Sequence, residues 1–330
     1  MGCEIGTDLK RAADIIRRGG LVGMPTETVY GLAAHALDPQ AVARIFEAKQ
    51  RPAFDPLIVH IPDVSWMPRV AAEFPELSQR LAARFWPGPL TMVLPKVAAV
   101  PDLVTSGLPD VGVRIPRHPV ALELLRLSDC PIAAPSANLF GRISPTTAQH
   151  VADQLADRID YILEGGPCGV GVESTVIRLS PHPCLLRPGG VSFEELLQVT
   201  GPLEIMASTD HPGQTSQAAP GMLPQHYAPR TPLILDLPQD RLLPGRWGVL
   251  CFQHLPAGQQ FSAREILSPC GSLPDAAANF FAALRRLDEL GLDGIVAELF
   301  PETGLGRALN DRLRRAASGS GVAINKLEVR

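Results

Sequence analysis

The pattern that most constrains the fold is an alternation of short apolar runs with amphipathic helical segments in the first two hundred residues. We interpret the apolar runs as strands, at 21–24, 57–61, 90–94, 111–115, 132–134, 161–163, 175–179 and 185–186. Helical periodicity is found at 7–18, 38–49, 75–85, 119–127, 145–156 and 192–199. Because alternating strands and helices form sheets with helices on their faces, the pattern predicts an α/β fold.

Two of the predicted helices begin at a residue suited to capping. Thr7 is the expected N-cap of the first helix, and Asp38 with Pro39 opens the second. The second helix then runs to Lys49, so Lys49 and Arg51 lie at its C-terminal end.

The periodic pattern is interrupted from about 203 to 232, where proline, glycine and hydroxyl residues dominate. Strands at 233–235, 248–252 and 294–297 and helices at 274–290 and 306–317 are predicted after it. A chain of 330 residues is long enough for two domains. We therefore predict a large domain at 1–203, a linker or lid at 204–232, and a smaller, Rossmann-like α/β domain at 233–330.

Composition indicates an ordinary globular protein, with 45% hydrophobic and 19% charged residues. The net charge of −4 gives no overall basicity that would favour nucleic-acid binding. The six cysteines contain no Cys-x-x-Cys pair, so no metal site is expected. Neither a secretory signal nor an apolar run long enough for a membrane helix is recognised, and a cytoplasmic location is expected.

Lys49 and Arg51 are the first candidate functional pair. The chain has only four lysines against 26 arginines, so a Lys-x-Arg sequence is distinctive here. An ammonium and a planar guanidinium together suit a polyphosphate, although a solvated helix end is the more common explanation for such a pair. Ser136 and Asn138 follow a predicted strand, where α/β folds usually bind ligands.

Other polar groups lie in or beside apolar runs. The segment 25–32 contains hydroxyls and a carboxylate, which suit a ligand pocket and a polar turn equally well. His60 is more simply a hydrogen-bonded core histidine. Arg114 and Arg187 have no carboxylate beside them in sequence, and a buried unpaired arginine is costly, so both favour an anionic substrate.

Several nucleotide and hydrolase motifs are absent from the sequence. The glycine-rich segment 165–175 precedes a strand, whereas a dinucleotide-binding fingerprint follows one. There is no P-loop, no G-x-S-x-G and no H-E-x-x-H. His226 and Tyr227, within the predicted linker, fit either a loop that closes over a pocket or an anchor between domains.

Taken in order, these motifs resemble the YrdC-like threonylcarbamoyl-AMP synthases. The motifs that carry the resemblance are 25–32, 49–52, 56–60, 113–116, 134–138, 144–146, 173–176 and 186–189. The segments 219–229 and 304–313 resemble the longer, two-domain form. The resemblance implies a large twisted, mostly open sheet with flanking helices, followed by the smaller domain.

The resemblance also implies a reaction. L-threonine and bicarbonate or CO2 give a carbamate, whose oxygen attacks the α-phosphorus of ATP and releases pyrophosphate. The product, threonylcarbamoyl-AMP, is used for the threonylcarbamoyladenosine modification of tRNA by downstream transfer proteins. Mg2+ is expected to arrive with ATP, and no membrane is involved. This chemistry needs positioning and positive charge rather than a covalent nucleophile.

Residue roles follow from the resemblance position by position. The residues implied in threonine binding are Thr28, His60, Arg114, Ala134 and Ser174. The residues implied in ATP binding are Arg51, Asp55, Asp110, Ser136, Ser144, Arg187 and Tyr227. The residues implied in catalysis are Lys49, Arg51, Ser136 and Asn138. Asp55 stands where a neutral asparagine or histidine is expected, and Asp110 where a hydroxyl is expected.

Two alternatives belong to other functional classes. Related folds bind double-stranded RNA or assist ribosome maturation, and contact with tRNA or double-stranded RNA is therefore left open. Carbamoyl-transfer modules of hydrogenase maturation share the fold, but they carry acylphosphatase and zinc-finger segments that this sequence lacks. The sequence leaves open the oligomeric state and the role of the C-terminal domain beyond anchoring the linker.

Overall fold

The computed structural model describes residues 3–206, 220–221, 223, 226–235, 243–256 and 260–318. The chain divides into two compact units, Met1–Phe140 with Ser144–Leu223, and Gly141–Ile143 with Pro224–Arg330. Most of the predicted linker, including 207–219, lies outside the described residues.

The first unit is built on one large mixed sheet, with eleven strands in the described part of the chain. Their order across the sheet is β1-β8-β2-β3-β7-β4-β6-β5-β9-β10-β11. The strands are β1 Ile5–Gly6, β2 Val22–Met24, β3 Gly31–His35, β4 Ile58–His60, β5 Leu90–Pro95, β6 Asp110–Arg114, β7 Ile132–Ala133, β8 Tyr161–Leu163, β9 Thr175–Arg178, β10 Cys184–Arg187 and β11 Glu204–Ile205. The α/β prediction is confirmed for this unit.

Helices flank this sheet and bury their apolar faces. They are α1 Leu9–Arg17, α2 Pro39–Lys49, α3 Glu76–Phe85, α4 Asp102–Thr105, α5 Pro119–Ser128, α6 Ala148–Leu155 and α7 Phe193–Thr200, with a 3-10 helix at Val64–Arg69. In α2, Asp38 accepts a hydrogen bond from the backbone of Gln40, as its N-cap role predicts, and Pro39 occupies the first turn.

Three local predictions are corrected by the structure. Asp8 caps α1 instead of Thr7, because its side chain accepts a hydrogen bond from the backbone of Arg11. Helix α6 begins at Ala148 rather than near 145, because Thr147 is its N-cap and accepts a hydrogen bond from the backbone N–H of His150. Strand β3 was not predicted, and only its first two residues, Gly31 and Leu32, fall within the polar motif at 25–32.

The strand register brings several candidate residues to one edge of the sheet. His60 pairs directly with Arg114, because β4 and β6 run parallel. Strand β5 is antiparallel to β6 and parallel to β9, and β10 is antiparallel to β9. Arg114 and Arg187 end β6 and β10, whereas Ser174 precedes β9, so all three lie at the same edge.

The second unit has its own parallel sheet, ordered β12-β15-β13-β14. Its described elements are β12 Leu233–Leu235, β13 Trp247–Cys251, β14 Ala263–Ile266, β15 Gly294–Ala297, α8 Leu273–Asp288 and α9 Gly306–Ser318. The four strands are parallel, α8 connects β14 to β15, and α9 follows β15, which is similar to the arrangement of a Rossmann-like domain. No helix in the described residues is long and apolar enough to cross a membrane.

Candidate active site

Lys49 joins the end of α2 to the loop that follows β7. Its ammonium group is fully buried and donates hydrogen bonds to the backbone carbonyls of Ser136 and Asn138. The backbone N–H of Phe140 in turn donates to the carbonyl of Lys49 at 2.9 Å. Three of the four predicted catalytic residues therefore lie together, although they are far apart in the sequence.

Arg51 is fixed by the segment that follows it. Its Nη2 lies 2.9 Å from Asp55 Oδ2, and its Nε donates to the backbone carbonyl of Asp55 at 3.0 Å. A further hydrogen bond of 2.7 Å runs from Nη2 to the carbonyl of Pro56. Asp55, whose participation the sequence left in doubt, is thus a fully buried partner of a predicted phosphate-binding residue.

Three cationic side chains influence the pKa of Asp55. Burial raises the pKa of Asp55, while the charges of Arg51, Lys49 and Arg187 oppose the rise. Burial holds the pKa of Lys49 well below its ordinary value, and the charge of Arg51 lowers it further. Arg187, from a distant strand, therefore acts on the same carboxylate as Lys49 and Arg51. We call Lys49, Arg51 and Arg187 the cation cluster.

Arg187 connects the cation cluster to Ser174. Its Nη2 donates to the backbone carbonyl of Ser174 at 2.8 Å, and its Nη1 donates to the carbonyl of Pro220 at 2.8 Å. The hydroxyl of Ser174 lies 2.8 Å from that of Thr91. These contacts join β10, the start of β9 and β5 at one edge of the sheet.

Arg114 is the centre of a second buried group. Its Nη1 donates to Thr28 Oγ1 at 2.9 Å, and its Nε donates to the carbonyl of Gly88 at 3.2 Å. Its Nη2 lies 2.7 Å from Glu27 Oε1. Burial alone would raise the pKa of Glu27, but the charge of Arg114 and hydrogen bonding to it lower the pKa below its ordinary value. We call Arg114, Thr28, Glu27 and His60 the arginine pocket.

His60 contributes a neutral imidazole to the arginine pocket. Burial lowers its pKa to about 3, and the adjacent charge of Arg114 acts in the same direction while Glu27 opposes it. Ala134 lies one residue after β7, and its backbone N–H donates to the carbonyl of Ile58, two residues before His60 on β4, at 3.0 Å. At neutral pH, the low pKa keeps His60 uncharged, so its imidazole offers a neutral hydrogen-bonding group.

Asp110 lines a cavity of about 160 Å³ over one face of the sheet. Thr91 and Val176 line the same cavity on neighbouring strands, and Pro56 and Pro220 line its sides. Because Thr91 contacts Ser174 while the carbonyls of Pro56 and Pro220 bind arginines of the cation cluster, the cavity adjoins that cluster.

Ser144, another residue implied in ATP binding, contacts a buried carboxylate of the first unit. Its hydroxyl donates to Glu173 Oε1 at 2.5 Å, and both groups are buried. Glu173 directly precedes Ser174, so the Ser144 side chain is held close to the start of β9.

Tyr227 belongs to the second unit, where aromatic and cationic side chains hold it. Its ring centroid lies 4.1 Å from that of His226 and 5.8 Å from that of Phe281. The guanidinium of Arg312 lies 5.1 Å from the ring centroid. Tyr227 is buried and has a φ of +63°, an uncommon conformation for a residue with a side chain. Its predicted contact with ATP stays a prediction.

Sequence reasoning missed Glu27, Thr91 and Glu173. Glu27 and Glu173 each stand next to a predicted threonine-binding residue within a motif, which was the available signal. The absence of a carboxylate near Arg114 in sequence was misleading, because Glu27 reaches it from the loop after β2. Thr91 gave no signal, since its hydroxyl lies in an apolar run and meets Ser174 only after folding.

Comparisons with known proteins cover nearly the whole chain. Residues 14–189 match a family model described as "Telomere recombination", which groups Sua5, YciO and YrdC proteins. Residues 191–318 match a model described as "Threonylcarbamoyl-AMP synthase, C-terminal domain".

Individual relatives agree with the family models. Threonylcarbamoyl-AMP synthase of Pyrococcus abyssi is 45% identical over 319 residues, covering 94% of this chain and 94% of the relative. The Bacillus subtilis protein of the same name is 45% identical over 326 residues, covering 94% and 93%. The crystal structure of P. abyssi Sua5 complexed with L-threonine matches with a TM-score of 0.87 and 44% identity, covering 95% of this chain and 97% of that chain. The chain therefore belongs to the threonylcarbamoyl-AMP synthase family, in its two-domain form.

Proposed function

We propose that this protein synthesises threonylcarbamoyl-AMP from L-threonine, bicarbonate or CO2, and ATP, with release of pyrophosphate. The observation that carries the proposal is the joining of the cation cluster to the arginine pocket along consecutive strands of one sheet. Ser174 and Thr91 form the link, because Arg187 donates to Ser174 and β5 lies between the strands that end in Arg114 and Arg187.

Threonine is assigned to the arginine pocket. In this proposal, the guanidinium of Arg114 binds the threonine carboxylate, which suits the planar donor fork of arginine. Thr28, Ser174 and the neutral His60 supply short hydrogen-bonding groups for the hydroxyl and amine, and Ala134 supplies backbone contact. P. abyssi Sua5, which has 44% identity to this chain, has been crystallised with L-threonine.

ATP is assigned to the cation cluster and the adjoining cavity. The triphosphate contacts Lys49, Arg51 and Arg187, and the hydroxyl and amide groups of Ser136, Asn138 and Ser144 complete the polar surface. The adenosine moiety enters the cavity lined by Asp110, whose carboxylate is suited to accept hydrogen bonds from the ribose hydroxyls. Tyr227 of the second unit is proposed to contact the nucleotide.

The proposed chemistry depends on position and charge. Threonine and bicarbonate form a carbamate with loss of water, and a carbamate oxygen forms a bond to the α-phosphorus of ATP. The bond from the α-phosphorus to the bridging oxygen breaks, and that oxygen leaves with the pyrophosphate. Lys49 and Arg51 stabilise the negative charge on the phosphates, an electrostatic effect that is strong in a buried site.

Mg2+ is proposed to enter bound to the ATP phosphates. Mg2+ is commonly bound by substrate phosphate oxygens and water, with only one or two carboxylates from the protein. The described residues contain no group of three or more His, Cys, Asp or Glu side chains placed to hold a metal. When bound, the ion would offset phosphate charge alongside the cation cluster.

The product is proposed to pass to proteins that transfer the threonylcarbamoyl group to adenosine in tRNA. A mixed anhydride of a carbamate and AMP is an activated acyl donor, so its consumption by an acyl-transfer reaction follows from its chemistry. The cytoplasm is the proposed location, because ATP, threonine and tRNA are all present there.

A pyrophosphate-release assay tests the proposal. Release should require threonine and bicarbonate, and Lys49→Ala or Arg51→Ala should reduce it by at least about 100-fold, because each removes a charge from the transition state. Lys10→Ala, on the exposed face of α1, is the matched control. Full turnover by either site variant would contradict the assignment, and tight double-stranded RNA binding without ATP consumption would favour the alternative.

A further inference from the structure

Asp55 is a carboxylate in a place where negatively charged phosphates are expected to bind. It is 0% exposed, and its Oδ2 lies 2.9 Å from Arg51 Nη2. Lys49 and Arg187 also act on its charge, and the backbone N–H of Gly221 is directed to it. Arg51 therefore contacts the carboxylate directly, while Lys49 and Arg187 lie near enough to act on its charge.

The contacts hold the Asp55 carboxylate in a fixed position next to Arg51. Arg51 binds the backbone carbonyl of Asp55 through Nε as well as the carboxylate through Nη2, so the residue is anchored twice. Without Asp55, Arg51 would be buried without the carboxylate that it contacts, which is electrostatically unfavourable. With Asp55, one positive charge of the cation cluster is offset before any nucleotide binds.

The same charge must affect the affinity for phosphates. A neutral side chain at position 55 would leave the positive charge of Arg51, and of Arg187 nearby, without this offset when ATP or pyrophosphate binds. Pyrophosphate is still highly charged after the reaction, and the phosphate-binding cations are its main contacts. A site that kept more positive charge would therefore release pyrophosphate slowly. Buried charges are poorly screened, so the effect of one carboxylate is large.

We propose that Asp55 is an internal counter-anion that weakens the binding of pyrophosphate to the cation cluster and so promotes product release. This inference rests on the proposed function of the site. Asp55 acts through Lys49, Arg51 and Arg187, and it is therefore a positioning and charge-balancing residue rather than a catalytic one.

Asp55→Asn tests the inference, because asparagine keeps the size and hydrogen-bonding oxygen but removes the charge. Calorimetric titration with inorganic pyrophosphate should show at least about tenfold tighter binding by the variant. In steady-state kinetics, kcat and the KM for ATP should both fall, and inhibition by added pyrophosphate should strengthen. Asp157→Asn, at an exposed position, makes the same change of charge and should leave pyrophosphate binding unaltered.

Pyrophosphate binding by Asp55→Asn that is equal to or weaker than wild type would overturn the inference. Weaker binding together with a higher Mg2+ requirement would assign Asp55 to the metal instead. If Asp55→Asn does not fold, Asp55→Ser is to be measured in the same way, with the same expected tightening. A wild-type protein that binds neither ATP nor pyrophosphate would contradict the proposed function itself, which separates the two failures.

Discussion

Single residues in this site have roles set by burial. His60, Arg114 and Lys49 were all identified from the sequence, but their protonation and partners were not, because both depend on groups brought together by folding. The pKa of His60 falls because the side chain is buried beside Arg114. Arg114 is paired with Glu27 from a distant loop. The sequence supplied the chemical groups, and the fold determines which of them are charged.

His60 should remain neutral throughout the physiological range. Its folded pKa of about 3 lies below the ordinary value of 6.5, so the folded imidazole should show no titration by NMR between pH 5 and 8, whereas the urea-unfolded protein should titrate near 6.5. Burial of neutral His60 contributes fully to the free energy of unfolding above pH 6.5. That contribution is lost as the pH falls from 6.5 toward 3, because only the unfolded chain binds a proton at this histidine. A His60 resonance that titrates near 6.5 in the folded protein would contradict this account.

Glu27→Gln should destabilise the protein at neutral pH, because it leaves Arg114 buried without its carboxylate. We expect a loss of about 3 kcal/mol in the free energy of unfolding, measured in urea, with Glu73→Gln at an exposed position as the control. Because the folded pKa of Glu27 is lowered from 4.5, its contribution is present above that pH and is lost as the pH falls through the folded value. The difference between variant and wild type should therefore narrow on acidification; a constant difference would count against the ion pair.

At the scale of elements, segments whose ends carry clear sequence signals were predicted well, and segments without such signals were missed. Helix α2 and strand β8 match their predicted bounds, because capping signals mark the first and an apolar run bounded by polar residues marks the second. The two-residue strands β1 and β11 were missed, since two residues carry no periodicity. Strand β14 was missed as well, because none of its side chains is buried and its sequence, Ala-Arg-Glu-Ile, contains no apolar alternation.

The turn after β10 depends on a glycine. A Cβ atom on Gly189 would lie 2.4 Å from the backbone of Glu173, Ser174 and Thr175, too close for any rotamer to relieve. Gly189→Ala should therefore displace the start of β9 and Ser174 with it, lowering pyrophosphate release at least about tenfold and stability by about 1–3 kcal/mol. Gly169→Ala is the matched control, because a Cβ there meets nothing within 4 Å. Equal activity of the two variants would show that the close approach is unimportant.

At the scale of the whole molecule, the predicted boundaries and the structural units differ. The linker was predicted to begin at 204, but β11 at Glu204–Ile205 pairs with β10 in the large sheet. The second family model begins at residue 191, whereas the second structural unit begins again at Pro224 after its short segment Gly141–Ile143. Helix α7 and β11 thus belong to the first unit structurally. Composition alone could not predict that β11 belongs to the large sheet. A two-residue edge strand next to a polar segment cannot be distinguished from that segment by its sequence.

The central claim is that one buried site in the first unit joins a threonine carbamate to the α-phosphate of ATP. The most direct test is mass spectrometry of the full chain incubated with ATP, Mg2+, L-threonine and 13C-bicarbonate. We predict an adenylate whose mass includes threonine, AMP and one 13C carbon, absent when threonine is omitted and at least about 100-fold reduced in Lys49→Ala. An adenylate without the labelled carbon, or equal product from Lys49→Ala, would contradict the account.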